Sequence, residues 1–259
     1  IVLEVIKLHI HRRNTINAYI QEKGEVRLKE LEEMFPEVSS MTLRRDLIYL
    51  EKEGTIIRVR GGARKISHSS NSIEDVYSRR ATTNMDAKVR IAKKAVKYIE
   101  PGRSVFIDSG TTMMCLAKIL PDEDFSIMTS GPNIGMEICK NSKPSVTLIG
   151  GHLNRNNLCT SGIYALEFLK NINIDIAFLA TSSFSMDSGF TCGNFNECEL
   201  KKAVIKKARH KILLMDTSKL DKSLPYTFAT LEDIDILICE KELPENIKKA
   251  AQDASVTLI

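Results

Sequence analysis

Nowhere in these 259 residues does an apolar run reach the length of a membrane-crossing helix, so no membrane span is expected. Paired metal or disulfide cysteines are missing too. Cys115, Cys139, Cys159, Cys192, Cys198 and Cys239 are scattered, with no Cys-x-x-Cys pair and no matched histidine spacing, which argues against a zinc site and a disulfide scaffold. No metal or cofactor is therefore expected. The opening Ile1 to Leu8 is apolar but broken by charges and followed by no small-residue cleavage site, which argues against a signal peptide. The absent initiator Met reads as a trimmed start, and a cytoplasmic location is the expectation. Net charge is also scarce: +4 is too little to mark a nucleic-acid binder. What is present is an ordinary globular composition, 43% hydrophobic and 27% charged, in a chain long enough for one small and one medium domain.

The placement of charge says more than its sum. Between Val38 and Lys65 lie seven basic residues (Arg44, Arg45, Lys52, Arg58, Arg60, Arg64, Lys65) against three acidic ones, an electrostatic footprint for phosphate. Ile16, Tyr19 and Ile20 recur at helical spacing before Gly24, and Leu28, Leu31, Met34 and Phe35 form one face before Pro36. Ser39 is then a candidate N-cap for a third helix with Met41, Leu43, Leu47 and Leu50 behind it. The polar side of that helix carries Ser40, Thr42, Arg44, Arg45 and Tyr49, where a recognition helix meets base edges and phosphates. After Gly54, the β-branched Thr55 to Arg60 and the Gly61-Gly62 turn predict a hairpin wing, with Arg58, Arg60 and Arg64 directed at flanking backbone. Each feature alone has a bland explanation. Three short helices, an Arg-Arg pair and a basic hairpin within about 55 residues together predict a winged helix-turn-helix.

The run Val38-Ser39-Ser40-Met41-Thr42-Leu43-Arg44-Arg45-Asp46-Leu47, followed by Leu50-Glu51, Gly54, Arg58 and Gly61-Gly62-Ala63, resembles the DNA-binding signature of the DeoR family of bacterial regulators. The resemblance implies DNA contact for Ser39, Thr42, Arg44 and Arg45. Arg60 stands where the family often has His, and the first eleven residues extend beyond its usual start.

Residues 66–85, with Ser67 to Ser72 polar and little apolar periodicity, read as a linker between a domain at 1–65 and a second at 86–259. Beyond it, short apolar runs alternate with helical segments: Ser104 to Asp108, Ser126 to Thr129, Ser145 to Ile149, Ile174 to Leu179, Lys211 to Asp216 and Ile234 to Ile238. That alternation predicts an α/β domain with a mostly parallel sheet covered on both faces, binding ligands beyond the carboxyl ends of its strands. Asp108-Ser109-Gly110-Thr111-Thr112 follows a strand and opens a helix, where hydroxyls and unpaired amides suit an anion such as phosphate; a capped helix after a glycine turn explains it equally well. Gly150-Gly151 ends another strand and is also a plausible turn, while Gly189-Phe190-Thr191 and Asn196-Glu197 read as parts of a polar loop. Lys219, in Asp216-Thr217-Ser218-Lys219, suits an anionic ligand, and Asp108, Glu197 and Asp216 suit sugar hydroxyls. The basic segment Glu199 to Lys211 reads as a solvated helix covering the sheet.

In this half too, the order Lys88-x-x-Ile91-Ala92, Asp108 to Thr112, Gly150-Gly151, Gly189-x-Thr191 and Asp216-x-Ser218-Lys219 resembles the DeoR sensor domain, similar in fold to ribose-5-phosphate isomerase. Thr129 to Asn133 and Ala180 to Phe184 depart from the family pattern. The resemblance implies a phosphorylated sugar-type effector, with Thr111 and Thr112 near its phosphate and Lys219 nearby. The resulting expectation is a regulator, most simply a repressor, of carbohydrate genes that binds double-stranded operator DNA as a homodimer or homotetramer and is not an enzyme. The alternatives are a sugar-phosphate isomerase-like enzyme with an attached DNA-binding module, and a constitutive DNA binder whose larger domain only oligomerises.

Overall fold

The computed structural model describes residues 2–52, 55–65 and 76–259, with the side chains of 2–10 and of Lys52 outside the description. Gly54 and Ser67 to Ser72 also lie outside the described residues. Two compact units divide the chain, Ile1–Ser70 and Asn71–Ile259.

In the first unit, α1 (Val2–Lys23) starts well before the Ile16-Tyr19-Ile20 pattern from which a helix is read, since no glycine or proline interrupts residues 2–15. A short strand, β1 (Glu25–Arg27), leads into α2 (Leu28–Met34), whose first turn is closed by the Arg27 amide donating to Glu30 Oε2 at 2.8 Å. Pro36 stops α2, and α3 (Ser40–Lys52) follows with the Thr42 amide donating to Ser39 Oγ at 3.3 Å, the cap expected at that residue. Ile16, Ile20, Leu31, Leu43, Leu47 and Leu50 meet in one buried core, which fixes the three helices around a common apolar centre.

The hairpin of β2 (Ile56–Val59) and β3 (Gly62–Lys65) carries a third strand that the sequence reading does not include, because β1 pairs antiparallel with β3. Gly62 is what permits this pairing: a Cβ there would lie 2.0 Å from the Val26 carbonyl oxygen. Val26, Ile56 and Ala63 then close the core from the wing side.

The second unit opens with α4 (Tyr77–Thr82), a helix inside the segment expected to be linker, and α5 (Met85–Ala95). There follow β4 (Ser104–Ile107), α6 (Thr111–Ala117), β5 (Ser126–Thr129), α7 (Pro132–Ile138) and β6 (Ser145–Leu148). A small hairpin, β7 (His152–Asn154) and β8 (Cys159–Ser161), precedes α8 (Ile163–Leu169) and β9 (Ile174–Ala180). The chain continues through β10 (Ser183–Ser185), β11 (Gly189–Cys192), α9 (Phe195–Lys207), β12 (Ala208–Leu214), β13 (Tyr226–Ala229), β14 (Ile236–Ile238), α10 (Glu245–Asp253) and β15 (Thr257–Leu258).

Seven strands form one sheet in the order β15-β14-β12-β9-β4-β5-β6, every neighbouring pair parallel. Alternate residues divide between its faces. Val105, Ile107, Ile127 and Phe178 pack with Ile91, Leu116 and Ile134 of α5, α6 and α7, whereas Phe106, Met128, Ala177 and Leu179 pack with Leu169, Leu200 and Val204 of α8 and α9. From β4 the chain steps outward to β5 and β6, then returns and builds β9, β12, β14 and β15 on the other side. The reversal therefore falls between β4 and β9, and the loops at their carboxyl ends diverge there to leave a crevice, the usual ligand position of such sheets. A three-stranded sheet, β10-β11-β13, occupies the region read as a polar loop; Asn196 and Glu197 belong to α9.

Candidate DNA interface and effector site

On α3, the Arg-Arg-Asp sequence splits by direction. Asp46 follows the core spacing of Leu43, Leu47 and Leu50 and is 1% exposed, so its charge has to be met inside. Arg12 Nε donates to its Oδ2 at 2.6 Å and Arg13 Nε to its Oδ1 at 2.7 Å. Arg44 and Arg45, one and two positions before it, are exposed and have no ion-pair or hydrogen-bond partner among the described residues. Tyr49 is exposed on the same helix with the Arg13 guanidinium 4.0 Å above its ring, a cation–π contact. Ser39 is exposed and Thr42 half-buried, their hydroxyls 3.0 Å apart, while the Ser40 hydroxyl donates to Glu32 of α2 at 2.5 Å. Sequence reading missed Arg12 and Arg13; the available signal was an aspartate lying on the apolar stripe of α3.

On the wing, Arg60 and Arg64 are exposed and without partners among the described residues. Arg58 differs, since its Nε donates to Glu51 Oε2 at 2.6 Å and its charge is partly balanced. The geometry is that of a helix presenting two unpaired guanidinium groups beside a basic hairpin, which suits phosphate and base-edge contact.

In the second unit the candidate residues collect at the carboxyl edge of the sheet, but they divide by whether their polar atoms are already engaged. Asp108 is fully buried at the end of β4; Oδ1 accepts from the Ser109 amide at 2.8 Å, and Oδ2 accepts from the Ala180 amide at 3.0 Å and from Lys201 Nζ. Lys201 is 2% exposed and also donates to the Ala180 carbonyl at 2.9 Å, with Glu197 Oε1 at 3.2 Å. Burial alone would lower its amine, but the charges of Asp108 and Glu197 more than offset this and raise it above the ordinary lysine value. Glu197 accepts in turn from Asn157 Nδ2. Asp108 and Glu197 are both engaged internally, bracing the carboxyl ends of β4 and β9. One expectation needs correction here: Lys201 is sealed in, although the segment around it reads as a solvated helix. That helix ends at Lys207 and the rest of the segment is β12.

Thr191 is likewise structural: its buried hydroxyl lies 2.7 Å from Ser183 Oγ and accepts from the Leu224 amide at 2.9 Å. Gly189 has φ +68°, and a Cβ there would come 2.5 Å from the Ala229 carbonyl, so this glycine serves strand packing. Gly150 and Gly151 are exposed between β6 and β7. Asp216 is buried and accepts from the Ser218 amide at 3.3 Å and from Asn84 Nδ2 at 3.2 Å.

Groups still available lie around the start of α6. Ser109 and Gly110 are buried in the turn, and the first helical bond runs from the Met114 amide to Gly110 at 3.0 Å, so the amides of Thr111, Thr112 and Met113 precede it. The hydroxyls of Thr111 and Thr112 have no hydrogen-bond partner among the described residues. On the adjacent strand, with Ile107 in register with Thr129, the fully buried Ser130 hydroxyl and the Asn133 Oδ1 also have no hydrogen-bond partner. Lys219 is half-buried in the turn just beyond β12. In the sequence Ser130 and Asn133 stand out only as part of a departure from the family pattern and not as site residues, since nothing local to them distinguishes a turn from a site. Among the described residues there is no cluster of histidine, cysteine, aspartate or glutamate fit for a metal and no helix long and apolar enough to cross a membrane.

A helix-turn-helix with an outward arginine pair, together with a parallel α/β unit that carries unengaged hydroxyls at the carboxyl edge of its sheet, defines a DNA-binding regulator with a second, non-DNA-binding domain. Comparison with known families agrees: the DeoR-like helix-turn-helix domain matches residues 12–69 and the DeoR C terminal sensor domain residues 83–241. The chain belongs to the DeoR family of transcriptional regulators. Among its relatives, the HTH-type transcriptional regulator GlpR of Haloferax volcanii is 33% identical over 85% of this chain and 86% of its own length. A putative aga operon transcriptional repressor of Escherichia coli O157:H7 is 29% identical, over 96% of this chain and 92% of that one. The glycerol-3-phosphate regulon repressor of Escherichia coli K12 is 28% identical, over 95% and 97%. Ribose 5-phosphate isomerase A of Methanocaldococcus jannaschii overlays 53% of this chain and 55% of its own with a TM-score of 0.40 and 19% identity, an overlap too loose to bear on activity.

Proposed function

We propose that this protein is a repressor of carbohydrate-metabolism genes whose DNA affinity is set by a phosphorylated sugar-type effector bound at the β4–β9 crevice. The observation that carries the DNA half is the split on α3, where Asp46 is locked inward by Arg12 and Arg13 while Arg44 and Arg45 point out unpaired. That arrangement fixes the rotation of the helix about its axis, so that Ser39, Ser40, Thr42, Arg44, Arg45 and Tyr49 face one groove and Arg58, Arg60 and Arg64 the neighbouring backbone. The effector half is supported by Thr111 and Thr112 at the uncapped start of α6, and by relatives named for an aga operon and for a glycerol-3-phosphate regulon, with Lys219 proposed as the accompanying cation. Two copies reading two half-sites one helical turn apart is the arrangement that such a module needs for specificity.

The test is a binding titration on the chain's own upstream region with unrelated duplex as competitor. Arg44→Ala and Arg45→Ala are each expected to lower specific affinity by tenfold or more while leaving the unfolding midpoint within a few degrees of the unchanged chain. Operator affinity retained in both variants refutes the assignment.

A further inference from the structure

The two edges of the seven-stranded sheet are unequal. β15 is two residues long, too short to template another strand. β6, at the other edge, is four residues long and is exposed at Ser145, Thr147 and Leu148. Its ladder to β5 fixes which backbone groups are left over. The Ser145 amide donates to the Phe125 carbonyl and the Ile149 amide to the Thr129 carbonyl, both at 2.9 Å, so residues 145, 147 and 149 turn their backbone toward β5. Val146 and Leu148 turn theirs outward, and their amides and carbonyls have no partner among the described residues.

An open edge of this kind is ordinarily guarded by charge. Here no Asp, Glu, Lys or Arg occurs from Pro144 to Asn154, and the neighbouring Lys143 is paired with Glu123 at 3.3 Å. Apolar side chains flank the edge instead. Leu148 is 46% exposed at the end of β6. Just beyond it the Thr160 hydroxyl donates to the Ile149 carbonyl at 2.6 Å, which brings the β7–β8 hairpin against the end of β6. Leu153, also exposed, lies opposite Thr160 in that hairpin. The first turn of α8 follows β8 directly and carries the exposed Ile163 and Tyr164, the latter at 78%. Apolar surface gathered in this way beside an open strand marks an interaction site.

We propose that β6 pairs with β6 of a second copy of this chain across a two-fold axis, joining the two seven-stranded sheets into one. Two-fold symmetry makes the paired strands antiparallel. With Thr147 on the axis, Val146 of one copy lies opposite Leu148 of the other, and each such pair exchanges both of its N–H···O=C bonds, so the outward groups of the strand are met. A second copy suits this edge for two reasons. An edge that faces itself sets each residue against its own image or a near neighbour, where a charge would meet its like, and the stretch from Pro144 to Asn154 carries none. The proposed reading of two half-sites also needs two copies held together. Strand bonds that replace bonds to water contribute little net stability, so Leu148, Leu153, Ile163 and Tyr164 supply the apolar part of the contact. This inference rests on the two-copy reading above, and its test keeps the two apart.

Sedimentation equilibrium of the full chain, with and without duplex from its own upstream region, is expected to show a dimer. Thr147→Lys sets two ammonium groups against each other at the axis and is expected to raise the dimer dissociation constant by about tenfold or more, with the far-ultraviolet circular dichroism unchanged. The same variant is expected to lose affinity for the whole upstream duplex and to bind a truncation carrying one half-site as the unchanged chain does. Thr147→Cys is a probe that does not depend on weakening the contact. Cα atoms of a non-hydrogen-bonded antiparallel pair lie about 4.5 Å apart, within disulfide range, so oxidation with diamide is expected to link two copies through position 147, as read by peptide mass spectrometry. Lys249→Cys, on the exposed side of α10 beside the opposite edge, is expected not to link. Arg44→Ala is expected to leave both the dimer and the cross-link unchanged. If Thr147→Lys stays dimeric and Thr147→Cys does not link, the edge pairing is wrong and the two-copy reading stands. If the unchanged chain is a monomer both free and on its duplex, both are overturned.

Discussion

Asp46 shows how one residue sets an interface without touching it. Its carboxylate lies among Leu43, Leu47 and Leu50 and is tolerable there only because Arg12 and Arg13 reach it from α1. Removing one partner of a buried pair leaves the other charge uncompensated, a larger loss than any exposed contact. Asp46→Ala is accordingly expected to destabilise the DNA-binding unit by about 3 kcal/mol, whereas Arg44→Ala stays within about 0.5 kcal/mol. Urea unfolding followed by far-ultraviolet circular dichroism measures both. Equal effects from the two substitutions would show that the inward pair does not hold the helix. The arginines on α3 were legible from their sequence neighbours, but the partners of Asp46 were not, because 33 and 34 positions separate them from it. The same limit hid Lys201, which looks like one more lysine on a basic helix and is in fact the counter-ion of Asp108, 93 positions away.

At the scale of elements, the wing combines a locally coded hairpin with a strand recruited from elsewhere. β2 and β3 are announced by β-branched alternation and a Gly-Gly turn, whereas β1, three residues long, has too short a pattern to read. Its pairing with β3 anchors one side of the ribbon to the helix that follows and holds Arg64 opposite Glu25 in register. Arg60 and Arg64 are free to meet phosphate, and Arg58 is shared with Glu51. Each phosphate contact releases condensed counterions, so Arg60→Ala and Arg64→Ala are each expected to lower the slope of log affinity against log salt by about 1. Arg58→Ala, with its charge already partly balanced, should lower it by less. Titration of the operator at several potassium chloride concentrations gives the slopes directly, and unchanged slopes for Arg60 and Arg64 would place the wing off the DNA. The segment of α4 is the opposite case: short and polar, it reads as linker, and the bonds of Tyr77 to Asn133 and Asn156, with those of Asn84 just after the helix to Asp216 and Ser218, make it part of the second unit.

For the whole molecule, the buried amine of Lys88 predicts a dependence of stability on pH. Lys88 has a folded value of about 8 against an ordinary 10.5. Below about pH 8 the amine is charged in both states and the cost of burying it is present in full; between about 8 and 10.5 the folded chain has released a proton that the unfolded chain still holds. Stability attributable to this group therefore rises with pH across that window. The buried thiols act in the reverse sense, burial having pushed Cys159 and Cys239 up to about 12, so the comparison has to be between the unchanged chain and Lys88→Met. The difference in unfolding free energy is expected to move in favour of the unchanged chain by roughly 1 to 3 kcal/mol from pH 7.5 to 10.5. A constant difference over that range would mean the amine is not buried as described.

Periodicity, capping and turn chemistry are properties of a few consecutive residues, and for that reason the chain by itself determined the three helices, the wing hairpin, the parallel sheet of the second unit and the outward Arg44-Arg45 pair. Which polar groups are engaged and which stay available depends on what the topology carries alongside them. Only tertiary structure made Asp108, Glu197 and Thr191 into internal braces and left the hydroxyls of Thr111 and Thr112 beyond β4, and of Ser130 beyond β5, without a hydrogen-bond partner among the described residues. A buried charge or hydroxyl is satisfied by whatever lies within about 3 Å, and distance along the chain has no say in that.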